Sequence, residues 1–452
     1  MGTRQRHDMT PEQKREARFA KWKSGEGIPF ATPEARQGYQ QRVQMFIDTI
    51  CLKKADRIPV SPMIGFFQYL YAGITPRDAM YDFEKLGFAI RKFHQDFMPD
   101  TLAGSWLVGS GKVLEILDYK LYRWPGHGLD ASKPYQAVEG EYMHAEDYRQ
   151  LIQDPSDFFL RTYLPRVLGA LEPFQTLGAL TDIVEMPSVP AAMIPFGLPP
   201  MKETLKRLSE AGDAALEWAN ACRRIDREVI GAFGVAGLTG GFAKAPFDIL
   251  GDTLRGTRDI MLDKYRQPKE LLAAVERLVP LAIEAGVRAA QNAASPVILM
   301  PLHKGADSFM SRKDFETFYW PTLKAVILGL IKEGLVPSLF AEGAYNKRLD
   351  LITDPDIPAG KTIWMFDQTD IREVKKHLGG WACFGGNVPS SMLVVATPGQ
   401  MADHVKRLID DVGQDGGYIL STGAVIDDAR HENMHAFIDT GKQYGVYRRT
   451  PA

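Results

Sequence analysis

Six short stretches of this chain place ionisable or amide side chains directly after apolar, strand-like runs. Lys244 and Asp248 stand in Lys244-Ala245-Pro246-Phe247-Asp248, with Asp252 following. His303 and Lys304 open His303-Lys304-Gly305-Ala306-Asp307. Glu342 and Gly343 follow the apolar run Pro337–Ala341. Asp367 and Asp370 bracket a turn, and Asn387 follows Gly385-Gly386. Thr422, Gly423, Asp427 and Asp428 come last. Lys, His, Glu and Asp gathered at one surface can move protons, or hold a metal ion that polarises a leaving group.

Each residue also has a structural reading. Asp370, nearer the following helix, is the better N-cap, which leaves Asp367 as the site candidate. Asp248 and Asp252 either serve as caps or pair with Arg255. Lys304 reads equally well as a surface cation or a ligand anchor. Glu342 leaves a buried apolar strand and is hard to explain as a solvated surface charge. Other chemistries have no motif here: there is no GxGxxG after a strand, no Walker A loop, no HExxH and no GxSxG. His431 and His435 lie one helical turn apart on what reads as a solvated helix.

The elements that must position these residues follow a pattern. Eight short β-branched and aromatic runs are expected as strands: Ile58–Met63, Thr101–Leu107, Gly237–Phe242, Pro296–Pro301, Val336–Phe340, Thr362–Phe366, Trp381–Phe384 and Gly417–Leu420. Helical periodicity lies between them. Pro268–Ala293 carries Leu271, Leu272, Val275, Leu278 and Ala282 on one face. Arg312–Lys332 follows Ser311 as N-cap, and Thr397–Val412 carries Met401, Val405 and Leu408. Strands alternating with helices imply parallel pairing, and eight of them imply an α/β (β/α)8 TIM barrel with its active site at the strand C-termini.

Residues 1–40 read as an N-terminal helical arm, with one helix over Pro11–Lys23 capped by Thr10. The barrel is expected over 41–452. Between the second and third strands lies a helical insertion, about 108–236, in which the Pro-rich piece Met186–Pro200 reads as a loop.

The 452 residues carry 54 Lys and Arg against 56 Asp and Glu, so there is no basic surplus to hold nucleic acid. No apolar run approaches the roughly 20 residues that span a bilayer, so no membrane association is expected. Only Cys51, Cys222 and Cys383 are present, an odd set that suits a reducing, cytoplasmic location and excludes a disulfide framework.

The chain resembles the uroporphyrinogen decarboxylase superfamily, and within it the methyltransferase-like branch, from about residue 40 onward. The resemblance is carried by Asp56-Arg57-Ile58-Pro59-Val60, by Gly241–Asp252, by His303–Ser311, by Phe340-Ala341-Glu342-Gly343, by Gly385-Gly386-Asn387-Val388-Pro389 and by Gly416–Leu420. It implies a (β/α)8 barrel and a homodimer. Two departures argue against a true uroporphyrinogen decarboxylase. The stretch Ser61–Gln68 lacks the arginines that bind porphyrinogen carboxylates, and the family's C-terminal Gly-His-Gly is Thr422-Gly423-Ala424-Val425 here.

Corrinoid-linked methyltransferases of the superfamily hold zinc with a His-x-Cys and a later Cys. The matching positions are Phe340, Glu342 and Ala424, so the thiolates are gone. Any zinc would have to use hard ligands, Glu342 and His303. The resemblance therefore implies methyl transfer from a small oxygen-bound donor, a methoxy-aromatic among the candidates, to a corrinoid carried by a partner protein; the chain itself lacks an Asp-x-His-x-x-Gly corrinoid motif. The expected catalytic residues are His303, Glu342 and Asp367. Lys244, Asp248, Lys304, Phe67, Trp106 and Asn387 are expected to bind substrate, with Phe66, Tyr69, Phe247 and Trp364 as further pocket aromatics. The alternatives are a metal-free lyase or decarboxylase using Lys244, His303 and Lys304 to hold a small carboxylate, and a non-catalytic binding protein on the same scaffold.

Overall fold

The computed structural model describes residues 9–447, so the ends of the expected arm and barrel, 1–8 and 448–452, lie outside the described residues. A small sheet comes first, formed by β1 (Tyr122–Pro125), β2 (Gly128–Leu129) and β3 (Gln136–Ala137) in the order β2-β1-β3. The principal sheet has six strands in chain order: β4 (Thr239–Phe242), β5 (Val297–Leu302), β6 (Val336–Ala341), β7 (Ile363–Phe366), β8 (Cys383–Val388) and β9 (Tyr418–Thr422). Every neighbouring pair in it is parallel. Helices such as Pro268–Ala289, Trp320–Lys332, Ile371–Leu378 and Pro398–Leu408 make the crossovers, as parallel pairing requires.

The first two expected strands form no ladder. Val60 makes a single parallel bridge to Leu420 of β9, and Thr101 a single one to Ala236, just ahead of β4. Pro59 and Pro62 have no N–H to give, which removes donors a continuous ladder would need. Ser105–Leu107, expected as strand, is one turn of 3-10 helix. Backbone bonds still tie these segments together: Asp100 N–H donates to Val60 O at 3.0 Å and Leu102 N–H to Ala236 O at 2.8 Å.

The strands sort their side chains onto two faces, as a two-residue period dictates. Val297, Val336, Phe340, Ile363, Met365, Cys383 and Ile419 share one apolar cluster with Trp22, Tyr39, Val43 and Phe46 of the N-terminal helices. Ile298, Met300, Leu302, Leu339, Trp364, Phe366 and Leu420 belong to the other, with the crossover helices. The first set defines an inner face. His303, Glu342, Asp367 and Asn387 each stand two residues beyond an inner-face position (Pro301, Phe340, Met365 and Gly385) and continue it.

Several local expectations held, and three changed. Helix Pro11–Ser24 has Thr10 as N-cap, with Gln13 completing a capping box. Asp370 caps Ile371–Leu378. Met186–Pro200 is largely helix, Ser188–Gly197, and not a loop. Pro190 falls in its first turn, and Pro199 opens the 35-residue helix Pro199–Phe233, where a missing N–H costs nothing. Arg312–Lys332 is broken by a π turn at Phe315–Tyr319, one residue ahead of Pro321. That turn brings Tyr319 to the strand ends. The insertion is also not purely helical, since it contains β1–β3. Among the described residues, no helix is long and apolar enough to cross a membrane.

Candidate active site

The connection after β5 carries the centre of the site. His303 Nδ1 lies 2.6 Å from Asp252 Oδ2, and its Nε2 lies 3.5 Å from Glu342 Oε1. Asp252 comes from the connection after β4 and Glu342 from the end of β6, so three adjacent strand ends supply the group. Asp252 is shared: Lys244 Nζ donates to it at 2.5 Å, and Lys304 Nζ stands 3.5 Å away while donating to Thr257 Oγ1 at 2.8 Å.

Beneath His303 lies Asp248, which is fully buried. Its carboxylate accepts the His303 N–H at 3.2 Å, the Lys304 N–H at 3.0 Å and the Tyr319 hydroxyl at 2.7 Å. Asp248, expected to bind substrate, thus fixes the backbone of the His303 loop from below. Tyr345 supports the same loop by donating to Leu302 O at 3.2 Å. On the other side, Asp367 Oδ2 accepts the Gly343 N–H at 3.1 Å. Asn387 Nδ2 donates to Asp367 O at 3.0 Å and Thr369 O at 2.7 Å, joining two strand ends.

The electrostatics follow from this arrangement. Burial disfavours a charged imidazole, but the hydrogen bond to Asp252 and the nearby Glu342 carboxylate outweigh it and push His303 up to about 10. His303 is thus an imidazolium at neutral pH, able to donate from Nε2. Burial would raise Asp252, yet His303 and Lys244 hold it well below the ordinary carboxylate range. Burial, and then the charge on Asp252, push Asp248 upward against the pull of Tyr319. Burial raises Asp367 too.

Five of the expected site residues meet here with Asp252: Lys244, Asp248, His303, Lys304 and Glu342. Asp367 and Asn387 line the adjoining strand ends. The aromatics do not join them. Phe67 packs in the core on Tyr71, Phe93 and Phe97. Trp106 stacks edge-on against Trp218 of helix Pro199–Phe233 at 4.8 Å. Trp364 is buried on the outer face against Phe366, and Phe247 is buried beside Tyr319. Phe66 and Tyr69 are buried against each other. Asp252 was assigned by sequence to a cap or to Arg255. Arg255 instead forks onto Asp263 at 2.6 and 3.1 Å. The spacing of Asp248 and Asp252, one helical turn apart, was the signal that both face the same partner.

A zinc ion does not fit these side chains. Among the described residues no three His, Cys, Asp or Glu side chains converge as a ligand set. Both His303 nitrogens already face carboxylates, Asp252 at Nδ1 and Glu342 at Nε2. Two formed cavities lie elsewhere. One is lined by residues of 169–176 and 195–207, the other by Pro398 and Arg430–Asn433. Neither includes a residue of the His303 cluster, which is where titratable groups contact one another across strand ends.

Comparison with known proteins agrees with this framework. The family model of uroporphyrinogen decarboxylase (URO-D) matches residues 174–444, beginning later than the resemblance noted in the sequence. Uroporphyrinogen decarboxylases from two strains of Histophilus somni, 2336 and 129Pt, are each 25% identical, over 237 and 236 residues. These matches take in 50% of this chain and span 64% of the length of those relatives. A methyltransferase from Methanosarcina mazei shares the fold, with a TM-score of 0.59 at 14% identity over 90% of this chain and 98% of that one. With an α/β scaffold, the site at its strand ends and a family match over more than half its length, the chain belongs to the uroporphyrinogen decarboxylase family.

Proposed function

We propose that this protein is a methyltransferase-type enzyme that demethylates a small oxygen-bound methyl donor, with His303 as general acid. The bridges at Val60 and Thr101 support an eight-segment barrel whose mouth holds the site. The observation that carries the reading is the His303 ring, held through Nδ1 by Asp252 with Nε2 toward Glu342. Breaking a C–O bond leaves an electron pair on oxygen, and a poised acid that protonates it lowers that barrier. In this reading the Nε2 proton passes to the departing oxygen, and the neutral imidazole regains a proton from solvent. Glu342 orients the ring and Asp252 keeps it charged. The methyl acceptor is a corrinoid carried by a separate protein, which supplies the nucleophile. A homodimer is the expected assembly. The absence of arginine from Ser61–Gln68 supports a donor other than uroporphyrinogen.

The lyase reading needs Lys244, His303 and Lys304 free to hold a substrate carboxylate. All three are turned toward Asp252, which weighs against it. The test is incubation of the protein with reduced cobalamin and a panel of methoxy-aromatic donors, following the change in corrinoid absorbance. A donor-dependent change is expected, and His303→Ala should slow it at least about 100-fold. Silence across the panel, or a loss in the variant below about threefold, would overturn the reading.

A further inference from the structure

The inner face of the sheet has two rows, and the lower one is apolar. Pro301, Phe340, Met365, Gly385 and Ile419 are register partners across β5 to β9. A Cβ on Gly385 would sit 2.7 Å from Met365 Sδ, so the thioether lies across the glycine and keeps this row low. Above it stand His303, Glu342, Asp367 and Asn387.

At the β4 edge of this face lies Phe242. Its two neighbours face the crossover helix Pro268–Ala289. A Cβ on Gly241 would meet Ala289 Cβ at 2.6 Å, and the Ala243 side chain stands 3.5 Å from where a Cβ on Gly286 would be. Phe242 therefore turns the other way, to the inner face, in register with Leu299 of β5. It is 49% exposed. Lys244, two residues on, shares its side of the strand and reaches Asp252. A single exposed aromatic on an outer surface is ordinary. One on the inner face, two residues before Lys244 of the charged cluster, is a place for an apolar ligand body.

We propose that Phe242 is the ring-contact residue of this site, selecting donors with a planar apolar body over small hydrophilic ones. This rests on the strand-end site described above. The ring of the donor would cover Phe242 in an offset or edge-on arrangement, with the apolar row below it and the oxygen directed to the His303–Glu342 row.

The test is equilibrium binding by calorimetry, with no corrinoid present, of 2-methoxyphenol as ring probe and methanol as small probe. Wild type should bind 2-methoxyphenol in clear preference to methanol. Phe242→Ala should weaken 2-methoxyphenol at least about tenfold, and Phe242→Trp should retain it. Phe242→Leu, which keeps apolar bulk without the ring, should fall between and guards against a folding defect in the alanine variant. Binding of 2-methoxyphenol by Phe242→Ala within about twofold of wild type, or no preference for the ring in wild type, would overturn the proposal. Ring binding that depends on Phe242 without any methyl transfer would leave this proposal standing while the methyltransferase reading falls. Methyl transfer from a ring donor that is indifferent to Phe242 would do the reverse.

Discussion

His303 Nδ1 and Asp252 Oδ2 lie 2.6 Å apart, joining residues 51 positions distant in the chain. The pair sits where two strand-to-helix connections meet, and it decides the charge of the only imidazole in the cluster. A carboxylate on Nδ1 fixes the ring orientation and leaves Nε2 facing Glu342, 3.5 Å from its Oε1.

The first prediction concerns this pair. A histidine whose pKa is higher in the folded state stabilises the fold fully below its unfolded value, about 6.5. That contribution is lost as pH rises through the folded value, about 10 for His303. Wild type should therefore lose stability between about pH 7 and pH 10. Asp252→Asn should show a shallower fall over the same range, and the His303 ring proton should titrate at lower pH by NMR. Urea denaturation across that range gives the slope; an unchanged slope in the variant would show that Asp252 does not hold the charge.

How much of this was readable beforehand depended on the range of the interaction. β5 to β9 were readable because each is an apolar run bounded by turn residues, and local chemistry is enough to mark it. The N-caps Thr10, Ser311 and Asp370 were readable for the same reason, since a cap acts over three residues. Glu342 stood out because an acid directly after a buried strand needs a partner. The partner itself, His303, lies on another strand, and nothing local reveals it. Asp252 was misassigned because Arg255 is nearby in sequence, whereas Arg255 is drawn to Asp263, itself one helical element further on. Aromatic type alone did not separate the faces. Trp364 and Met365 are adjacent, yet only Met365 faces inward. The first expected strand failed at Pro59 and Pro62, where strand-like composition hides the missing donors, and the second gave way to a 3-10 turn at Ser105–Leu107.

The second prediction is Tyr319→Phe. This removes one of three donors to the buried Asp248 carboxylate and should cost about 1–2 kcal/mol by denaturant unfolding. The pH dependence has a defined sign. Asp248 is raised in the fold by burial. A carboxyl raised in the fold loses stability as pH rises through its folded value, so the cost of the variant should grow from acid toward neutral pH. A cost that is flat with pH would place the effect in ring packing alone.

The third prediction follows from the donor set. Because no three ligating side chains converge among the described residues, dialysis against a strong chelator should leave the thermal midpoint and the His303 titration unchanged. Added zinc should likewise leave the midpoint unchanged. A midpoint that falls by more than about 5 °C on chelation and recovers with stoichiometric zinc would mean that the native state binds the ion and that the His303 proton is displaced by it.

The last prediction is Gly305→Ala, in the loop that carries His303. A Cβ there would stand 2.5 Å from Tyr345 Oη and 3.0 Å from the Tyr319 ring. Both tyrosines are fully buried, and both are committed: Tyr345 donates to Leu302 O and Tyr319 to Asp248. Neither ring can swing into solvent, so the loop must lift instead. Overpacking of this kind costs about 1–3 kcal/mol. Lifting the loop also stretches the bonds from the His303 and Lys304 N–H groups to Asp248 and draws the imidazole away from Asp252. The variant should therefore be less stable and should also show a His303 ring that titrates nearer its ordinary value. A stability loss with the titration unmoved would mean that the tyrosines yield and the loop does not, which would remove the tyrosine pair from the support of His303.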